Sequence, residues 1–80
     1  MYFVYIIYSK KFNRNYVGLS ADVEERLKVH NSGKVKSTMA FCPWEIIHAE
    51  IFETRIEARK RDKYFKSAAG RRWRKLNLGH

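Results

Sequence analysis

The chain is poor in the features that tie a protein together or address it by special chemistry. Its 80 residues include one cysteine, Cys42, which excludes an internal disulfide and suits a reducing, cytoplasmic setting. That cysteine and three scattered histidines make no zinc-binding pattern. No apolar run approaches the roughly 20 residues needed to span a bilayer, so no membrane partner is expected. The opening "MYFVYIIYSKK" is apolar first and basic second, the reverse of a secretory leader. Repeats, linkers and low-complexity tracts are missing as well. The length holds a single domain over residues 1–80, with a thin core in which large aromatics must do much of the burial.

Acidic residues are also scarce. Eight Asp and Glu stand against seventeen Lys and Arg, a net charge of +9. All the acids lie between Asp22 and Asp62, while Lys63, Lys66, Arg71, Arg72, Arg74 and Lys75 follow. Such a field attracts a polyanion, most simply nucleic acid, through phosphate contacts and counterion release. Lys34 and Lys36 add a second basic segment. A ribosome-like surface, an anionic membrane face and charge kept for solubility are the competing uses.

What is present reads as a compact alternation of elements. Residues 1–9 form a nearly continuous apolar run, the pattern of a strand buried on both faces. "KKFNRN" is a polar turn, and residues 15–19 make the returning strand of a hairpin. A helix follows Ser20, with Asp22 and Glu24 at its positive end, running through "DVEERLKVHN" and stopping at "NSG". Gly33 suits a left-handed residue there. "KVKSTMAFC" connects to Pro43, and "WEIIHAEIF" is a third strand. Thr54 to Glu57 is a capping box opening a second helix through "EARKRDKYFK". Ser67 to Gly70 breaks that helix, and "RRWRKLN" is a short basic terminal helix or turn. The order is β-β-α-β-α-α, an α+β arrangement.

The hairpin register decides whether Tyr5 and Tyr16 share a site. With Tyr5 opposite Gly18 and Ile7 opposite Tyr16, both phenols face one side; a one-residue slip separates them. Gly18 would then open space in front of Tyr5 for a ligand's backbone. On the first helix Val23, Leu27 and His30 form an apolar-side stripe, with Arg26 at its margin. Arg26 suits either a snorkelling stem or a functional cation, and His30 either a core residue or an active one. On the second helix Asp62 interrupts a face made by Ala58 and Phe65. A salt bridge with Arg55, Arg59 or Lys66 accounts for it equally well.

Together these residues resemble the GIY-YIG nuclease family, in its small stand-alone form. "VYI" at 4–6, "YVG" at 16–18 and "DVEERLKVHNSGK" at 22–34 carry the likeness, which continues to Arg71. The tyrosines are eleven positions apart; an arginine stands eight after the glycine and a histidine four further. The resemblance implies a three-stranded antiparallel sheet flanked by helices. It also implies that Tyr5, Tyr16, Arg26 and His30 are catalytic, that Gly18 is the second motif's glycine, and that Asp62 binds one divalent metal. Phe3 departs from the glycine that opens the first motif. Asp62 departs from the family's usual glutamate, which keeps the charge but removes about 1.5 Å of reach.

The implied activity is Mg²⁺-dependent hydrolysis of DNA phosphodiester bonds with low sequence specificity, in which Mn²⁺ can substitute and no small-molecule cofactor takes part. Arg26 offers a planar fork to phosphate oxygens. Tyr5 could take a proton from water if a nearby cation lowers its pKa from about 10. Tyr16 would orient water or phosphate, with His30 in support. Lys34, Lys36, Arg71, Arg72, Arg74 and Lys75 would meet the nucleic-acid backbone. A binding module of the same fold without turnover is the alternative, and a basic protein–protein adaptor is the third class.

Overall fold

A computed structural model describes residues 1–79. The chain order is β1 (Tyr2–Ser9), β2 (Arg14–Ser20), α1 (Val23–Asn31), β3 (Glu45–Phe52), α2 (Arg55–Lys66) and α3 (Ala68–Leu78). The three strands make one antiparallel sheet, as the family resemblance implies, and their spatial order is β2-β1-β3. Putting the most apolar strand in the centre explains its composition: Val4 through Ser9 are all buried.

The hairpin register pairs Tyr5 with Gly18 and Ile7 with Tyr16. Alternation along β1 therefore sends Val4 and Ile6 to one face and Tyr5 and Ile7 to the other. Val4 and Ile6 pack with Val17, Ala58 and Phe65, under α2 and α3. Tyr5 and Ile7 pack with Trp44, and α1 closes over them with Val23 and Leu27. The α1 stripe seen in the sequence is thus the seam between that helix and the sheet.

Local chemistry fixes the helix ends. The Asp22 side chain caps α1 by accepting from the Glu25 amide at 3.1 Å. Thr54 accepts from the Glu57 amide at 3.2 Å and donates to its carboxylate at 2.9 Å, the expected capping box. Gly33 has φ +80°, the left-handed residue expected after α1. The terminal segment differs from its sequence reading. The break after α2 is Ser67 alone, whose side chain accepts from the Gly70 amide and caps α3. Gly70 belongs to α3 because the two helices touch there: a Cβ would collide with the Tyr64 carbonyl and the Phe65 backbone.

Arg61 fastens β3 to the helices. Its guanidinium donates twice to Glu50, at 2.8 and 3.2 Å, and lies 4.4 Å from the Phe65 ring centre and 5.3 Å from that of Trp73. His48 bonds the same carboxylate at 2.8 Å and stands against Trp73, at 5.3 Å between ring centres. Burial pushes Glu50 up, but hydrogen bonds from Arg61 and His48 outweigh it and hold the carboxyl below its ordinary 4.5. A depressed carboxyl stabilises the fold above its unfolded pKa, and that contribution disappears as pH falls below about 4.5. Glu50→Gln should therefore cost about 1–2 kcal/mol at pH 7, with the difference from wild type shrinking at pH 3. Thermal unfolding at both pH values checks this; a gap independent of pH would rule out the charged pair as its source.

Candidate active site

The site lies at the β2 edge of the sheet, where α1 and α2 approach from opposite faces. Tyr5, Tyr16, Gly18 and Leu19 from the hairpin and Arg26 from α1 line one side of a 450 Å³ cleft. Arg55, Arg59, Asp62, Lys63 and Lys66 from α2 line the other. Five residues read from the sequence therefore meet in one place: Tyr5, Tyr16, Gly18, Arg26 and Asp62.

Gly18 does something other than expected. The space it leaves is taken by Tyr5 itself: a Cβ on Gly18 would overlap the Tyr5 hydroxyl, Cζ and Cε1. The phenol ring lies across β2, which lets a central-strand residue on the α1 face present its hydroxyl at the edge near α2. The glycine admits the tyrosine, not the ligand backbone.

His30 stands behind the cleft rather than on its wall. It is 0% exposed, with Nε2 3.0 Å from the Tyr5 hydroxyl and Nδ1 2.9 Å from Thr38 Oγ1. The Tyr16 ring flanks it at 4.8 Å between centroids. Thr38 donates to the Val35 carbonyl at 3.4 Å. On that network Nδ1–H donates to Thr38, and Nε2 accepts the Tyr5 proton. Burial, then the Arg26 charge, lowers the His30 pKa from 6.5, so the neutral imidazole is favoured. Its geometry is that of a residue that acts through Tyr5, holding the phenol and presenting Nε2 to its proton.

Tyr5 departs from the simplest reading of a lowered pKa. Burial raises it above 10.0 and outweighs the opposing hydrogen bond and charge of Arg26. The phenol is therefore neutral, its proton directed toward His30 and its oxygen facing Arg26 at the cleft.

Asp62 is 16% exposed. Its Oδ1 lies 3.1 Å from Lys66 Nζ, while the hydrogen bond from that ammonium goes to Oδ2 at 3.3 Å. The salt bridge foreseen as an alternative thus exists, with Lys66, yet it forms inside the cleft. Oδ1 is buried and accepts no hydrogen bond, so a hard cation could use it. Among the described residues no three His, Cys, Asp or Glu side chains converge on one point. Asp62 is the one carboxylate among the described residues that line the cleft.

The remaining basic residues lie elsewhere. Lys34, Lys36, Arg71, Arg72 and Lys75 are exposed and none lines the cleft. Arg74 is half-buried, and burial followed by the Arg71 charge lowers its pKa. The cations that do line the cleft, Arg55, Arg59, Lys63 and Lys66, were not assigned to the site from sequence. Their spacing of four, four and three, with Asp62 in phase, is a one-face helical stripe that could have revealed them.

Residues 1–77 match the GIY-YIG catalytic domain, and the chain belongs to the GIY-YIG family, whose domain has a nuclease-type fold. The UPF0213 protein YazA of Bacillus subtilis is 41% identical over 66 residues, covering 81% of this chain and 66% of that protein. A UPF0213 protein of Bacillus velezensis is 46% identical over 55 residues, covering 68% and 56% respectively. The chain's matched part thus spans between about half and two thirds of these relatives. The solution NMR structure of the UPF0213 protein BH0048 from Bacillus halodurans superposes with a TM-score of 0.57 at 31% identity, covering 95% of this chain and 82% of that one.

The overlap of Tyr5 with a Cβ on Gly18 gives a direct test. Gly18→Ala should destabilise the protein by about 1–3 kcal/mol, because the ring must leave its place. In a Tyr5→Ala background the same change should cost little, giving a strongly non-additive double-mutant cycle. Additive losses in denaturant melts would mean the glycine serves something other than the phenol.

Proposed function

We propose that the protein is a divalent-metal-dependent endonuclease acting on DNA with low sequence specificity. The observation that carries this is the meeting of Tyr5, Tyr16, Arg26 and one partly buried carboxylate, Asp62, in a cleft whose α2 wall is otherwise cationic. Asp62 would hold Mg²⁺ or Mn²⁺, which would supply polarisation of the phosphate and stabilisation of the leaving oxygen. Arg26 binds phosphate oxygens through its planar fork and steadies the charge that builds on them. Tyr5 takes the proton of the attacking water at its oxygen while its own proton moves along the 3.0 Å contact toward His30 Nε2. Thr38 holds the imidazole in the tautomer that can receive it. Tyr16 orients water or phosphate from the neighbouring strand.

Four cations of α2 placed from Arg55 to Lys66 extend about 16 Å along the helix, which suits contact with successive backbone phosphates. Contacts of this kind follow charge and shape rather than base identity, in keeping with low specificity. The second reading is a binding module without turnover. The pairing of the cleft's only carboxylate with Lys66 is the observation that favours it. A plasmid-nicking assay with and without Mg²⁺, beside filter binding of the same DNA, separates the two.

Arg26→Ala should abolish nicking while leaving the melting temperature nearly unchanged. Arg26→Lys should not restore it, since a point charge cannot replace a bidentate fork. An unfolded alanine variant together with an active lysine variant would assign Arg26 to the scaffold. For binding, neutralising Arg55, Arg59 and Lys63 should flatten the dependence of log affinity on log salt by about 0.9 per lost phosphate contact on duplex DNA. Neutralising Arg71, Arg72 and Lys75 should flatten it less. The reverse order would place the backbone on α3.

A further inference from the structure

The i,i+4 pair on α2 has a geometry that bears on how the cleft admits a cation. Lys66 is 55% exposed and Asp62 only 16%, so a mobile ammonium reaches in to a nearly covered carboxylate. It touches both carboxylate oxygens, at 3.1 and 3.3 Å. Lys63, one turn away on the same wall, makes no such bond.

We propose that Lys66 is a built-in competitor for the divalent cation, occupying Asp62 in the metal-free protein and giving it up when metal binds. The inference rests on the reading of Asp62 as the metal ligand. A divalent cation bound at about 2.0–2.1 Å to Oδ1 would stand within roughly 5 Å of an ammonium that lies 3.1 Å from the same oxygen, and at that range the two cations repel. Lys66 has a flexible four-carbon stem and an exposed side chain, so displacement moves it within the cleft without disturbing α2. Once released, its ammonium is a donor for a phosphate oxygen on the same wall. Metal and polyanion then favour each other, and the coupling is reciprocal by linkage.

The test uses metal alone, without nucleic acid or turnover. Mn²⁺ binding to the full chain is measured by calorimetry and by paramagnetic broadening of the α2 amides. Wild type is compared with Lys66→Met, Lys66→Arg, Lys63→Met and Asp62→Asn. Removing a partly exposed ion pair should tighten Mn²⁺ binding about threefold to fivefold in Lys66→Met. Lys66→Arg should remain near wild type, Lys63→Met should gain less than Lys66→Met, and Asp62→Asn should lose the site. A Lys66→Met variant that binds no more tightly than wild type, or not at all, overturns the inference. So does an equal gain from Lys63→Met, which would show a general field rather than direct competition. If Asp62→Asn binds Mn²⁺ like wild type, the metal-ligand reading itself falls, an outcome distinct from the failure of Lys66 alone.

Discussion

The passage of the Tyr5 ring across Gly18 is the contact on which the site depends. Tyr5 belongs to the central strand, the most enclosed position in the sheet, and its side chain starts on the α1 face. A buried phenol could have ended as core. The missing Cβ on the paired residue lets the ring extend over the edge strand until its hydroxyl reaches the cleft beside α2. The same placement brings the hydroxyl within 3.0 Å of His30, whose other nitrogen is held by Thr38. A one-residue slip of the hairpin would set Val17 or Leu19 opposite Tyr5, and a side chain would stand where the ring must pass. Register, glycine and hydroxyl position are therefore one constraint.

Helix α2 completes the cleft by having two faces of different kinds. Ala58 and Phe65 enter the core under β1, and Arg61 extends that face by lying against aromatic rings while paired with Glu50. Asp62 follows Arg61 directly in sequence and turns the other way. The charged residues of this helix thus divide by partner. Arg61 has a carboxylate and rings that offset its desolvation, so it is structural. Arg55, Arg59 and Lys63 look into the cleft and make no ion pair among the described residues. Anchoring of the first face by packing and by the Arg61–Glu50 pair holds the second face in place.

Much of this was legible in the sequence because it rests on periodicity and pairing. The continuous apolar run points to a strand buried on both faces, which β1 is at the centre of the sheet, and the tyrosine and glycine spacing permits the register that the hairpin adopts. The stripe of Val23, Leu27 and His30 reads from helical spacing, and it is where α1 meets the sheet. What escaped depends on three-dimensional accommodation. A glycine beside a tyrosine can admit a ligand or the tyrosine's own ring, and only the position of the ring decides. His30 could be at the cleft or behind it, since one helical phase serves both. The α3 start was set too late, because Gly70 weakens a helix by propensity yet is required where α3 touches α2. Arg55, Arg59 and Lys66 all suit a salt bridge with Asp62 by helical spacing, and only the contacts show that, among the described residues, Lys66 alone makes it.

The charge balance of the cleft links these features to chemistry. Five cations, Arg26, Arg55, Arg59, Lys63 and Lys66, face a single carboxylate. A divalent ion approaching that wall meets net repulsion, and a polyanion meets net attraction. In water the repulsion between unit charges is modest, about 1 kcal/mol at 4 Å, but within a half-enclosed cleft it grows several-fold. A phosphate backbone entering first would neutralise part of that charge. On the proposed reading of Asp62 as a metal ligand, phosphate oxygens would also join the metal's shell, and nucleic acid would help to make the metal site. Arg26 and Asp62 both line this cleft, and Tyr5, whose pKa burial raises, is neutral and adds no negative charge of its own to oppose a polyanion's approach. Burial of the phenol, which at first sight weakens a base, keeps the resting cleft electropositive.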